Sequence, residues 1–252
     1  MTALLFTGCA LIAWAFPALV FLAFVVHRPQ LLVTFFCAVF FALLAFLFGS
    51  FFWLFISPAQ EYTVLQSLFY AIIIELVRFW FLFLLSRTAK NFAAVGTNSI
   101  GHPMVPFYTA IATGLGFGVV QALVLYGEFI IDAYGPAAVF NTNACSNRTT
   151  FIDAAVMSLY IALFNLPATI VTQEAYENAD GRVAGAGYAA TTVLHGMVLF
   201  SPAISYGTDF CLGVFILPAV FIAMILVPAV FIATQDEYAS RKHAKRPRDL
   251  TE

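Results

Sequence analysis

Polar side chains that could do chemistry lie inside long apolar stretches of this sequence. Glu75 and Arg78 occur in IIIELVRFWF, three residues apart, which places them on one face of a helix within pairing distance. An ionised side chain at the centre of a bilayer costs about 2.5–3.5 kcal/mol on insertion scales, so both are expected to face protein rather than lipid. Three interpretations stay open: a structural ion pair, a catalytic carboxylate at Glu75, or an Arg78 side chain that extends to the inner membrane surface.

Three uncharged polar side chains in apolar segments are candidates for bridges between helices. His195 occurs in TTVLHGMVLF, and a neutral imidazole donates and accepts hydrogen bonds at the same time. Because unpaired polar groups are costly in lipid, His195 is expected to have a partner on another helix. Asn165, in ALFNLPAT beside a proline, makes a weaker case of the same kind, and Gln121 is positioned for an interhelical hydrogen bond.

Sequence templates of common enzymes are absent. There is no HExxH, no GxSxG, no pair of catalytic aspartates and no nucleotide-binding loop. One carboxylate and one histidine make a poor site for activating water. The formal net charge of −2 provides no basic field for nucleic acid. The sequence therefore predicts no catalytic, cofactor-binding or metal-binding residues and no nucleic-acid partner.

The composition identifies the elements that must position these side chains. The chain has 252 residues, of which 62% are hydrophobic and only 10% charged, as in polytopic membrane proteins. Spanning a bilayer core takes roughly 20 helical residues, and seven apolar runs reach that length. They lie near 4–26, 31–57, 64–85, 105–131, 152–172, 183–205 and 212–234. We expect an all-α fold, a seven-transmembrane-helix bundle forming one membrane domain over 1–252.

The basic residues predict the orientation of this bundle. With the N-terminus outside, Arg148 alone lies in an outer loop, and Arg78 lies within a segment. The remaining Lys and Arg lie on the inner side: Arg28, Arg87, Lys90, Arg182, Arg241, Lys242, Lys245, Arg246 and Arg248. This positive-inside distribution predicts an N-terminus that is lumenal or extracellular and a cytosolic C-terminus. The polar stretch 87–103 is expected to be a flexible cytosolic loop. Residues 235–252 are expected to be a basic cytosolic tail, of which residues 241–252, RKHAKRPRDLTE, are disordered and either contact anionic lipid or only enforce topology.

Small residues recur every four positions in the fourth segment. Ala110, Gly114, Gly118 and Ala122 form one ridge on a helix, which lets a second backbone approach closely. The ridge either packs internally or also serves a partner protein, and the small-xxx-small rule favours the second interpretation.

The predicted outer loops contain two further features. Asn147 begins the sequon Asn-Arg-Thr, which is either a glycosylation site or a chance match close to the membrane. Cys145 and Cys211 both fall on the oxidising side, where they are either bridged or free thiols.

Matches in order along nearly the whole chain carry a resemblance to a known family. They comprise Phe6-Thr-Gly8-Cys9 with Pro17-Ala18, Phe52-Trp53, Glu75-x-x-Arg78-Phe79, Gly114-Leu115-x-Phe117-Gly118, Asp132-Ala133-x-Gly135-Pro136, His195 and Leu217-Pro218. In this order the chain resembles the anterior-pharynx-defective (Aph-1 type) subunit of γ-secretase. Gly114 and Gly118 fall on the family's GxxxG motif, with Ala122 in place of a third Gly, and His195 falls on its sixth-helix histidine. Asn165 stands where the family has a fifth-helix histidine, which is a departure.

The resemblance implies a non-catalytic scaffold that assembles with nicastrin, stabilises presenilin, and is joined by the presenilin enhancer. It implies cleavage of type I membrane protein stubs by the complex, a place in Notch signalling, and membranes of the endoplasmic reticulum, Golgi, plasma membrane and endosomes. Membrane lipids are the remaining expected partner, and no cofactor is implied.

Two other classes stay open at this stage. A glutamate with a downstream arginine and polar groups on later helices is similar to Abi/CAAX-type intramembrane proteases, which would use Glu75 and His195. Ile74, however, stands where those enzymes have an adjacent glutamate. A seven-helix receptor or transporter would need a ligand cavity or an inverted repeat, and the sequence shows no such repeat.

Overall fold

The computed structural model describes residues 2–55, 63–94, 106–132, 150–177, 181–207 and 213–244. Within this part of the chain the fold is all-helical, which confirms the predicted fold class. The helices are α1 Thr2–Val20, α2 Pro29–Trp53, α3 Thr63–Ala94, α4 Pro106–Asp132, α5 Thr150–Glu177, α6 Gly181–Gly207 and α7 Gly213–Ala244, and a π-helical segment, Phe21–Val25, continues α1.

Six of these seven helices are long and apolar enough to cross a membrane. The exception is α6, which has 27 residues, about 40 Å at the helical rise, and is therefore as long as its neighbours. Its first half, GRVAGAGYAATT, is rich in Gly, Ala and Thr, which are less apolar than Leu, Ile and Phe. The chain is a multi-pass membrane protein.

Three helices extend beyond their predicted ends. Helix α3 continues to Ala94, through the first part of the expected 87–103 loop. Helix α7 continues to Ala244, so residues 235–244 are helical and the predicted disorder of residues 241–252 is wrong for residues 241–244. Helix α5 ends at Glu177 rather than near residue 172. The reason is the same in each case: the membrane limits the apolar run, whereas a helix continues through polar residues of good propensity until Gly or Pro intervenes. Residues 95–105 and 245–252 lie outside the described residues.

Small residues line the inside of the bundle and large apolar residues cover its outside. On α2, Thr34, Ala38 and Ala42 recur every four residues and are at most 4% exposed. The opposite face of the same helix exposes Phe36 and Phe40. In lipid, close backbone packing stabilises helix pairs while large apolar side chains meet the acyl chains, which explains this arrangement.

Helix α4 occupies the middle of the bundle. It packs most extensively against α5 and next against α2, while α3 packs against α6, and α5 and α6 both contact α7. Among the spanning helices its most apolar stretch is the most buried. This arrangement brings the middles of α3, α4, α5 and α6 together, and these are the segments that contain the intramembrane polar residues.

Candidate functional site

Glu75 and Arg78, one turn apart on α3, contact each other in the interior of the bundle. Arg78 Nη1 lies 2.9 Å from Glu75 Oε1 and donates a hydrogen bond to Oε2 at 3.1 Å. Arg78 is 0% exposed and Glu75 2% exposed. The guanidinium therefore does not extend to a membrane surface, and the Phe117 ring of α4 lies over it, with its centroid 5.3 Å from Cζ.

Three uncharged side chains from α4, α5 and α6 close a ring with this ion pair. Arg78 Nη2 donates to Asn165 Oδ1. Asn165 Nδ2 donates to Gln121 Oε1 at 2.9 Å, and Gln121 Nε2 lies 2.6 Å from His195 Nε2. His195 Nδ1 returns to the start, 2.6 Å from Glu75 Oε1. We call these five residues the polar ring, and it joins four helices at one level of the bundle.

The polar ring is sealed from its surroundings. Gln121, Asn165 and His195 are each 0% exposed. The Phe164 ring of α5 lies against the imidazole of His195, with 5.0 Å between their centroids. In such a low-dielectric interior each hydrogen bond is stronger than in water, and each unpaired polar group is correspondingly costly.

Asn165 has a larger part in the ring than its sequence context indicates. Its side chain contacts Arg78 and Gln121, and Nδ2 also donates to the Ile161 carbonyl oxygen of its own helix at 2.8 Å. The sequence showed only an amide beside Pro167. Nothing local to residue 165 reveals that its main partner lies 87 residues earlier in the chain.

Buried hydroxyl groups around the polar ring bond to their own helices. The hydroxyls of Thr169 and Thr172 donate to the carbonyl oxygens of Asn165 and Ala168, at 2.8 Å and 2.9 Å. On α6, Thr191 does the same to the Gly187 carbonyl oxygen at 2.9 Å. The sequence analysis did not single out these residues, although a Thr inside an apolar helix commonly bonds four residues back.

The glycine ridge of α4 packs inside this chain. A Cβ added at Gly114 would lie 2.6 Å from the Asn165 carbonyl oxygen, and one added at Gly118 would lie 3.1 Å from Ala162 Cα. Ala110 and Ala122, at the two ends of the ridge, are 2% and 0% exposed. Helix α5 of the same molecule thus occupies the groove that the sequence analysis expected a partner to share.

A second close approach lies on the opposite side of α4, at a residue the sequence analysis missed. A Cβ added at Gly116 would lie 2.8 Å from Ala38 Cβ and 2.9 Å from the Phe35 carbonyl oxygen, both on α2. The signal was present as GLGFG, because glycines two apart on a helix point to opposite sides. Gly196, next to His195, allows a similar approach to Leu68 of α3, at 2.8 Å.

The geometry of the polar ring is that of a structural connection between helices. Both carboxylate oxygens of Glu75 are engaged, by Arg78 and by His195. The second ring nitrogen of His195 is engaged by Gln121. A general base also needs access to a water or a substrate, and Glu75 and His195 are only 2% and 0% exposed. Within the described residues no group of three or more His, Cys, Asp and Glu side chains could hold a metal ion.

Several predicted residues lie outside the described residues. These are Asn147, Cys145 and Cys211, so the glycosylation and disulfide alternatives both stay predictions. Of the two remaining cysteines, Cys9 is buried and Cys37 is exposed, and both are free thiols.

Comparison with known proteins identifies a family and several relatives of this chain. A family model described as Aph-1 protein matches residues 4–236. The γ-secretase subunits APH-1B of Homo sapiens and of Pongo abelii are each 28% identical to the chain over 176 residues, which is 66% of this chain and 66% of each relative. The γ-secretase subunit aph-1 of Caenorhabditis elegans is 28% identical over 179 residues, 67% of this chain and 58% of that protein. The chain thus spans just under two thirds of the curated relatives it matches, and none of these matches supports the Abi/CAAX-type alternative. Since the family match covers nearly the whole sequence, this seven-helix membrane protein belongs to the Aph-1 family.

Proposed function

We propose that the chain is a non-catalytic scaffold subunit of a γ-secretase complex. The observation that carries this proposal is the family match over residues 4–236, together with relatives that are named as γ-secretase subunits. The polar ring supports it, because a carboxylate and an imidazole whose polar atoms are all engaged suit structural pairing rather than hydrolysis.

The scaffold holds α3, α4, α5 and α6 as one rigid unit. The glycines at 114 and 118 allow α4 to approach α5 closely, and the polar ring connects both helices to α3 and α6. Because α5 already covers the ridge, Gly114 and Gly118 act on assembly by shaping this subunit rather than by direct contact with another protein. The outer apolar faces are then available to lipid and to partner helices.

The partners that the resemblance implies are nicastrin, presenilin and the presenilin enhancer. Presenilin supplies the catalytic aspartates in this proposal, and type I membrane protein stubs, as in Notch signalling, are the substrates. The positive-inside distribution supports an N-terminus in the lumen or outside the cell and a C-terminus in the cytosol. The membranes are those of the endoplasmic reticulum, Golgi, cell surface and endosomes.

A rescue experiment tests the proposal. Cells of the source organism from which this chain has been removed receive the unaltered chain, the variant Gly114→Leu or the matched control Gly185→Leu. Position 185 has nothing within 4 Å of an added Cβ, whereas position 114 faces backbone at 2.6 Å. The unaltered chain and the control should restore presenilin levels and cleavage of a type I membrane protein stub, and Gly114→Leu should restore neither.

Two results would contradict the proposal that the chain is a scaffold. If presenilin levels and stub cleavage do not change on removal of this chain, it is not a scaffold of that complex. Cleavage of a membrane substrate by the chain purified alone, abolished by Glu75→Gln, would instead identify the chain as an enzyme.

A further inference from the structure

We propose that the polar ring is a one-way chain of hydrogen-bond donation from Arg78 to Glu75, which holds His195 as the neutral tautomer protonated at Nδ1 and does not respond to pH. The inference concerns how the ring works within this chain, and it holds whether or not the chain serves γ-secretase.

Arg78 and Glu75 determine the direction of hydrogen-bond donation around the ring. A guanidinium has only N–H groups, so Arg78 can only donate. Glu75 lies 2.9 Å from that guanidinium, and a carboxylate in an ion pair can only accept. Every group between these two must therefore accept on the side towards Arg78 and donate on the side towards Glu75.

This requirement determines how the side-chain amides of Asn165 and Gln121 are oriented. Asn165 turns Oδ1 to Arg78, which leaves Nδ2 to donate to Gln121 Oε1 at 2.9 Å and to the Ile161 carbonyl oxygen at 2.8 Å. With Oε1 accepting, Gln121 has only its Nε2 to direct at His195. Reversing either amide alone sets two donors or two acceptors against each other inside the bundle.

The tautomer of His195 is then determined. Gln121 Nε2 is a donor and lies 2.6 Å from His195 Nε2, so that ring nitrogen must carry a lone pair. The proton of the neutral ring is on Nδ1, where it is donated to Glu75 Oε1 at 2.6 Å. The proton position is therefore set by partners at both ring nitrogens.

An imidazolium does not fit this arrangement. Its second N–H would point at the amide nitrogen of Gln121. Turning Gln121 over would satisfy the imidazolium but set Gln121 Nε2 against Asn165 Nδ2, and turning Asn165 over as well would set Nδ2 against Arg78. Every combination of the two amides leaves one buried donor facing another, which in a low-dielectric interior is strongly unfavourable.

Among the residues that the structure describes, the charged groups that face His195 belong to α3. Glu75 and Arg78 face it from that helix, Phe164 faces it from α5 with its ring, and Gln121 faces it from α4. Residues 213–234 of α7, which also packs against α6, contain no Asp, Glu, Lys, Arg or His. The Glu75–Arg78 pair is balanced in charge, so a protonated His195 would add one uncompensated positive charge.

A single substitution, Asn165→Asp, should change the number of protons on the imidazole of His195. In Asn165→Asp the new carboxylate accepts from Arg78. Once its second oxygen turns away from the Ile161 carbonyl oxygen, which lies 2.8 Å from Asn165 Nδ2, it can also accept from Gln121 Nε2. Gln121 then turns over and presents Oε1 to His195, whose Nε2 must now carry a proton. With Nδ1 still donating to Glu75, the imidazole becomes an imidazolium between two carboxylates and one guanidinium, and the charges balance.

Nitrogen-15 NMR spectroscopy of the whole chain tests this inference. The chain has four histidines, and His27, His102 and His243 are replaced by Gln so that only His195 gives an imidazole signal. The expected result is a neutral ring, protonated at Nδ1 and bare at Nε2, that does not change between about pH 5 and pH 8, the range in which an ordinary histidine titrates. With Asn165→Asp added, both ring nitrogens should be protonated at about pH 7.

Each contrary result overturns the inference. An Nε2-protonated ring, or a protonated ring in the chain that retains Asn165, would show that the donation does not run from Arg78 to Glu75. Titration at the ordinary histidine midpoint would show that the ring does respond to pH. If Asn165→Asp fails to fold, the spectrum of the chain that retains Asn165 still decides the tautomer.

Discussion

Replacing helical glycines by alanine, one at a time, should affect the stability of this protein in a defined order. The change adds a single methyl group, and the neighbours of that group differ between positions. At Gly114 it would lie 2.6 Å from a carbonyl oxygen of α5, and at Gly118 it would lie 3.1 Å from a backbone carbon of the same helix. At Gly185 there is nothing within 4 Å.

The size of each change in the free energy of unfolding follows from these distances. Ordinary contact begins at 3.4 Å, so α5 must move by 0.8 Å at Gly114, where the distance is 2.6 Å, and by 0.3 Å at Gly118, where it is 3.1 Å. Overpacking costs about 1–3 kcal/mol, and alanine is about 1 kcal/mol better than glycine in a helix. Gly114→Ala should thus lose about 2 kcal/mol net, Gly118→Ala should change little, and Gly185→Ala should gain up to about 1 kcal/mol.

The assay is thermal unfolding of the purified chain in one detergent. A loss of about 2 kcal/mol corresponds to a melting temperature roughly 4–8 °C lower for a protein of this size. Gly185→Ala is the matched control, because it makes the same chemical change on an open helix face. Equal melting temperatures for Gly114→Ala and Gly185→Ala would refute the conclusion that α4 and α5 are in backbone contact at this ridge.

Three further predictions concern the polar ring and the outer loop. Arg78→Leu leaves the buried Glu75 carboxylate without its counter-ion and should lower the free energy of unfolding by about 3–5 kcal/mol. The double variant with Glu75→Leu should lose less stability than the two single variants together, and additive losses would contradict the pairing. Gln121→Leu removes the partner of His195 Nε2 and should cost about 1–3 kcal/mol in the same melting assay, and an unchanged melting temperature would show that the ring does not close through α4. Asn147→Gln distinguishes the two interpretations of the sequon: a glycan at Asn147 predicts that the substitution abolishes a glycosidase-sensitive shift in electrophoretic mobility, whereas identical mobilities of the two proteins would identify the sequon as a chance match.

The helices of the bundle could be predicted from the sequence because lipid imposes a simple rule on composition. A spanning helix needs about 20 apolar residues, and each predicted run corresponds to a helix in the structure. The helix ends were less predictable, as the polar extensions of α3 to Ala94 and of α7 to Ala244 show. Hydropathy reports where the membrane stops, while the end of a helix depends on backbone propensity.

The candidate site was predictable only in its local part. The spacing of Glu75 and Arg78 was sufficient to place both on one face of a helix. That Asn165 and His195 converge on the same pair depends on how α3 packs against α5 and α6, across separations of 87 and 120 residues. A single sequence contains the types of these residues but not the packing that joins them.

The packing of the glycine ridge could also be predicted only in part from the sequence. Small-xxx-small spacing predicts that two helices approach closely, and α4 and α5 do so at Gly114 and Gly118. The spacing does not specify whether the second helix belongs to the same chain. In this structure it does, and Gly116 adds a second close approach, to α2, on the opposite side.

Purification of the tagged chain from its own cells in a mild detergent shows whether it is a subunit of a γ-secretase complex. Presenilin, nicastrin and the presenilin enhancer should be recovered with it in comparable amounts, as identified by mass spectrometry. Gly114→Leu should reduce their recovery, and Gly185→Leu should not. Recovery of the intact, membrane-inserted chain without presenilin would show that it is not a scaffold of that complex.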